Sequence, residues 1–366
     1  MFKCSTIITS LSVTALCISA GASGAMADWS GKKWWPAKVM EVAADGTKKE
    51  IEYSPPLQAK KKWNVCVLIP HLKDVFWKAV DFGAMDEAAR LGVKATLYEA
   101  GGYENLPRQL SQMDDCMAQG VDAIVIGVVS EAGVAAKIRD AKAKGIVVVG
   151  TVTTTTTTAD PAVAAYVDVS FYDLGYLAGK SLVAAVKDRP APVNVVGFPG
   201  PQGADWANGG AKGFEAAVAN TNIKLLAMKF GDTGKEVQLR LIEDALQTYD
   251  KIDGIWAVST AAEVAPDALQ RANRKGILIQ GWTATEATIR HVQSGRMMGE
   301  ESEKPVLESR LSMDLAINAL EGALEGKPRP YHLQPVIAIL TQETLKDYDM
   351  NLSFAPANWQ PVFKVN

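Results

Sequence analysis

Aromatic residues keep arriving where short apolar runs end. The run "WNVCVLI" (63–69) stops at Pro70, and "PHLKDVFWKAV" (70–80) then brings Asp74, Phe76 and Trp77 before a helical pattern begins. A second run is followed by Tyr103 in "EAGGYEN", and a fifth by Phe171 and Tyr172. Further along, "FPGPQGADWANGG" carries Asp205, Trp206 and Asn208, and "IQGWTATE" carries Trp282 and Thr283. Large rings at the mouth of a loop are costly to leave in water. Each one alone is ordinary loop or core packing. Their repetition at strand ends points to a surface that binds something small.

The residues that catalysis needs are missing. His71, His291 and His332 are the only histidines, none has a neighbour at metal-ligand spacing, and no Cys-x-x-Cys occurs. There is no G-x-S-x-G elbow and no phosphate loop. "GFPGPQG" and "EAGGY" are glycine-rich but lack the dinucleotide spacing, and no cofactor is expected. The candidate carboxylates are not paired as acid and base. His71 is read as an ordinary loop histidine, with ligand contact the alternative. The sequence favours binding over catalysis, and an exported enzyme is the weakest of the rival readings.

The elements that must position these residues follow one rhythm. Short β-branched runs ("WNVCVLIP", "VKATLYEA", "VDAIVIGV", "GIVVVGTV", "AAYVDV") alternate with helical patterns. Trp77, Val80, Ala84, Ala88 and Leu91 keep 3/4 spacing, as do Leu106, Leu110, Met113 and Met117. The beat resumes in "VNVVGFPG", "IKLLAMKF", "DGIWAVS" and "GILIQGW", and "VIAILT" adds a late strand. This predicts an α/β chain of two doubly wound, Rossmann-like lobes joined by a hinge, with about five βα units each. Ligands of such sheets bind beyond the carboxyl ends of the strands. Two facing lobes would make those ends the walls of a cleft. The expected first lobe is 62–168 with 303–327, and the second is 169–302 with 328–345. Residues 28–61 read as an irregular extended arm whose Trp29, Trp34 and Trp35 pack onto the body. Residues 346–366 read as a tail packed on a lobe, and the threonine-rich stretch 151–163 as an exposed loop.

The first 27 residues differ from the rest. Lys3 is their only charge, an apolar centre follows, and Ala25-Met26-Ala27 precedes Asp28, as in a cleavable secretory signal. A membrane anchor fits poorly, because Ser and Thr dilute the apolar stretch. The expected mature chain is periplasmic, without membrane insertion. A formal net charge of −3 and 22% charged residues carry no basic footprint for nucleic acid. Loss of the segment leaves Cys66 and Cys116. If the strand order begins 2-1-3, the helix carrying Cys116 crosses the strand carrying Cys66. The two can then meet as a disulfide, with two buried free thiols the alternative.

"P-x-LKD-x-x-W" at 70–77, "EAGGY", the two cysteine positions, "PGP" at 199–201, "AAE" at 261–263 and "QPVF" at 360–363 resemble the TorT family. These are type I periplasmic binding proteins that sense trimethylamine N-oxide and signal through a sensor histidine kinase. The resemblance runs from about Trp63 to Phe363. It implies a hinged receptor of Venus-flytrap form with three crossover strands. It also implies an aromatic box around the ligand and a complex with the kinase's periplasmic domain. Trp77 and Tyr103 match box positions. Phe171-Tyr172 falls where that family has Trp, Trp206 where it has a small residue, and Glu300-Glu301-Ser302-Glu303 at a crossover that differs. These departures bear on the ligand more than on the fold. A methylated amine or N-oxide suits aromatic faces, and Glu303, if it faces the cleft, favours a cationic amine. The solute receptor of an ABC importer for a sugar or amine is the second reading, with Asp205, Asn208 and Thr260 as polar contacts for a sugar.

Overall fold

The computed structural model describes residues 1, 34–153 and 162–366. The predicted signal segment beyond Met1, Trp29 and residues 154–161 of the threonine-rich stretch lie outside the described residues. In chain order the elements begin with strands β1 (Ala37–Val42), β2 (Lys48–Tyr53) and β3 (Asn64–Ile69), then helix α1 (Val75–Leu91). There follow β4 (Lys94–Glu99), α2 (Leu106–Ala118), β5 (Ala123–Ile126), α3 (Glu131–Ala143), β6 (Val147–Thr151), β7 (Ala165–Val167) and α4 (Phe171–Val186). The second half holds β8 (Val193–Phe198), α5 (Asp205–Val218), β9 (Ile223–Met228), α6 (Lys235–Thr248), β10 (Gly254–Ala257), α7 (Ser259–Arg271), β11 (Leu278–Gly281) and α8 (Glu286–Gln293). It closes with β12 (Glu300–Ser302), α9 (Pro305–Leu320), β13 (Tyr331–Pro335), β14 (Ala338–Leu340) and β15 (Lys364–Val365).

The first lobe is built on a nine-stranded sheet ordered β15-β4-β3-β5-β6-β7-β13-β1-β2. Its central parallel strands are buried on both faces, and β3 shows why its sequence is continuously apolar. Val65, Val67 and Ile69 enter the core under α1 and α9, while Cys66 and Leu68 enter the core under α2 and α3. The second lobe carries a four-stranded parallel sheet, β11-β10-β8-β9, around its own core. The chain crosses between lobes after β7, between β12 and α9, and between β13 and β14. Among the described residues, no helix is long and apolar enough to cross a membrane.

The order β4-β3-β5 is the 2-1-3 arrangement, and it lays α2 across β3. Cys66 and Cys116 are joined as a disulfide, with Cα atoms 6.1 Å apart and 50 residues between them in sequence. A loop of that length constrains the unfolded chain. Reduction should lower the unfolding free energy by about 2–4 kcal/mol. A urea midpoint that does not move under reductant would count against the bond.

Three expectations need correction. Residues 28–61 are not an irregular arm throughout: β1 and β2 form a six-pair antiparallel hairpin that extends the first sheet through β13. Its turn is made by Asp45 and Gly46, whose φ of +83° suits glycine. Residues 331–335, expected in the second lobe, lie in the first sheet, parallel to β7 and antiparallel to β1. The second lobe, expected to hold about five βα units, has a parallel sheet of four strands; the strand expected at "VIAILT" is present as β14, which pairs with β12 in a separate two-stranded ladder. The tail is clipped to the first lobe. Trp359 Nε1 and the Val362 amide both donate to Asp81 Oδ2, at 2.8 and 3.1 Å, and β15 pairs with β4.

Candidate functional site

The loop after β3 ends in Asp74, the N-cap of α1, whose Oδ1 accepts from the Trp77 amide at 3.0 Å. The cap sets where the helix begins, and so where Phe76 and Trp77 project. Trp77 is 2% exposed, its indole N–H donates to Tyr103 Oη at 3.2 Å, and Phe76 packs edge-on against it at 5.6 Å. Tyr103 arrives from the loop after β4. From the second lobe come Phe171, the first residue of α4, and Trp206, in the first turn of α5.

These rings meet across the cleft. Tyr103 and Trp206 lie 5.8 Å apart between centroids, and Phe171 and Trp206 6.4 Å. Behind Trp206 stand Trp282 at 5.6 Å and then Trp256, 5.3 Å from Trp282. The column rests on Phe214, 4.6 Å from Trp256. Gly200 makes room for Trp206: its φ is +115°, and a Cβ there would come within 2.5 Å of the indole. The ring that closes the cleft is thus backed by the second lobe's core.

Among the described residues, an inner cavity of about 40 Å³ lies between the lobes. Asp74, Phe76, Trp77, Tyr103, Phe171, Trp206 and Glu303 line it, with Val152, Thr153, Thr233, Val258, Ser259 and Thr283. At roughly 10–15 Å³ per water, it has room for about three waters. Glu303 reaches it from the β12–α9 crossover. It is 3% exposed, and its Oε2 has no hydrogen-bond partner. Burial, and then the neighbouring Asp168 carboxylate, push its carboxyl up to about 8. Burial also raises Asp74, while His71 opposes that shift. His71 is buried behind the cage, edge-on to Tyr103 at 5.4 Å, with burial lowering its pKa. Neither of its ring nitrogens has a hydrogen-bond partner. The site is therefore an aromatic box with two carboxylates on its wall and a weakly basic imidazole behind.

A second, outer cavity of about 370 Å³ shares Thr153, Phe171 and Trp206 with the inner one. Tyr172 and Asp205 line this outer space instead. Tyr172 is 45% exposed and stacks on Tyr176. Asn208 is half-buried on α5 and lines neither cavity. Trp282 is fully buried beneath Trp206 and does not reach the space itself. Sequence reasoning passed over Thr233 and Ser259, which follow β9 and β10 at the same carboxyl edge. The strand-end rule that located the aromatics would have located them too. It also passed over His332 and Gln334, which no strand-end signal marks.

A family model described as "Periplasmic binding protein domain" matches residues 65–324. Periplasmic protein TorT of Escherichia coli (strain K12) is 28% identical over 313 residues, 86% of this chain and 88% of that protein. Among solved structures, an ABC transporter solute binding protein from Bradyrhizobium sp. BTAi1, with bound Bis-Tris, is 35% identical. It superposes with a TM-score of 0.77, covering 91% of this chain and 99% of that one. The complex of the TorS sensor domain with TorT in the presence of trimethylamine N-oxide gives 27% identity and a TM-score of 0.71, covering 82% and 100%. Fold, paired lobes and matched span agree: the chain belongs to the periplasmic binding protein family and has its type I fold.

Proposed function

We propose that this protein is an exported receptor that closes on a small methylated ammonium or amine N-oxide and reports it to the periplasmic domain of a sensor histidine kinase. The inner cavity carries this reading. Its aromatic rings come from both lobes, and of its two carboxylates Glu303 is buried and Asp74 half-buried. Each ring facing a methylated cation contributes about 0.5–2 kcal/mol. The inner cavity suits a head group of a few heavy atoms, and a larger ligand has to extend beyond it. Because the box is completed only when Tyr103 and Trp206 approach, such a ligand favours the closed lobes, and a partner that reads closure reads the ligand. The likeness to TorT supports the kinase as partner.

The second reading is the solute receptor of an ABC importer for a sugar or an amine. The likeness to the Bradyrhizobium solute binding protein favours it. Thermal unfolding of residues 28–366 separates the two. The panel is tetramethylammonium, trimethylamine N-oxide, choline, ribose and galactose at millimolar concentration. It is run with and without the periplasmic domain of any sensor kinase encoded beside the gene. Ligand that binds the folded chain raises the midpoint by mass action. The expected result is a rise with methylated ligands and a further rise with the kinase domain. A rise with sugars alone would overturn the methylated-ligand reading in favour of an importer.

A further inference from the structure

We infer that the ligand is an ammonium bearing a hydroxylated arm, with its cationic head in the inner box and the arm in the outer cavity. This rests on the ammonium reading of the inner cavity and narrows it. The two spaces share Phe171 and Trp206 as a common wall, so a ligand seated in one is adjacent to the other. At about 370 Å³ the outer cavity falls within the size range of small-molecule sites.

Its chemistry differs from that of the box. On the crossover side, Asp168 Oδ1 accepts from His332 Nε2 at 2.6 Å and from Gln334 Nε2 at 3.0 Å. Asp168 is 1% and Gln334 7% exposed, so a bonded polar cluster has been carried into the interior beside the cavity. Opposite it stand the rings of Phe171, Tyr172 and Trp206. Polar side chains that both donate and accept, facing aromatic walls, suit a hydroxyl with its attached CH groups. They suit a second ammonium less well. Asp168 already spends an oxygen on two donors. The other two carboxylates on the wall, Glu131 and Asp205, sit in the first turns of α3 and α5, where the helix dipoles offset their charge.

The test compares choline with n-propyltrimethylammonium, which differ only in a terminal hydroxyl against a methyl, by calorimetry on the full mature chain. Tetramethylammonium is the reference for the head group alone. One net hydrogen bond predicts that choline binds about fivefold more tightly than the propyl analogue. Gln334→Leu should close that gap. Equal affinities of choline and the propyl analogue for the unaltered protein, with tetramethylammonium still binding, would overturn the arm and leave the box standing. Binding of none of the three would overturn both. The comparison on the unaltered chain decides even if Gln334→Leu does not fold.

Discussion

Tetramethylammonium should lose about tenfold in affinity for each pH unit below about 8, and trimethylamine N-oxide should not follow it. The cause is Glu303, whose carboxyl is pushed up to about 8 by burial and by Asp168. Near neutrality it holds a proton. A permanent cation in the box prefers the carboxylate, so below that pKa its binding must expel the proton, and the cost grows as pH falls. From about pH 8 to about pH 6 the loss is about 50-fold for one proton released, because the acid is already half protonated at the start. The N-oxide is neutral overall, and its oxygen accepts from the protonated acid. Its affinity should be level below about 8 and fall above it. The groups around Glu303 reinforce this sign. Glu308, raised by burial and by Glu303 and Asp168, and Asp74 on the same wall, raised by burial, are acids that can only add negative charge as pH rises, and His71, lowered by burial, supplies no compensating positive charge near neutrality. Glu303→Gln should abolish the pH slope for tetramethylammonium and leave the N-oxide the better ligand. Calorimetric titrations from about pH 6 to about pH 9 check both. Identical slopes for the two ligands, or a slope that survives the substitution, would remove Glu303 from the role.

Arg310→Leu should cost about 3–5 kcal/mol of stability, far from the cleft. Arg310 is fully buried on α9. It pairs with Glu87 Oε2 at 2.6 Å and with Asp86, and its guanidinium lies 3.9 Å from the Trp34 ring centroid. Glu87 also accepts from Arg90, whose nearest distance is 2.5 Å. One turn on, Asp314 holds the Tyr53 hydroxyl, which in turn accepts from Asn318 at 2.7 Å. The network ties α1, α9 and the β1–β2 hairpin together. Removing its central cation leaves buried Glu87 with Arg90 alone, takes this partner from half-buried Asp86, and strips the Trp34 ring of its stacked guanidinium. Arg310→Lys should recover little, since an ammonium offers neither the planar fork nor the stacking face. Urea unfolding reads the result, and a loss below about 1 kcal/mol would mean the network contributes only specificity.

Much of the site was legible because parallel βα units deliver their loops to one edge. Phe76, Trp77, Tyr103, Phe171 and Trp206 each follow a run that ends in the same way, and the structure gathers all five around one cavity. The alternation left the strand order open, and the 2-1-3 order on which the cysteine pairing depended is the one that the structure has. The hairpin could have been read from "AKVMEVAADGTKKEIEY", where an Asp-Gly turn separates two short strands, had its polar composition not suggested an arm.

By itself, the sequence determined the local facts: which runs become strands, where helices start, and which residue types stand at strand ends. These depend on neighbours within a few positions, and hydrophobic period and capping are enough to set them. Only the tertiary structure decided that Trp282 backs the box instead of lining it and that residues 331–335 complete the first sheet. It alone placed Glu303 in the wall of a cavity for about three waters. Those outcomes come from packing together segments that lie far apart in the chain. The register of β13 against β7, and the approach of one lobe to the other, are set by the fit of whole packed surfaces. No short stretch of sequence carries that information.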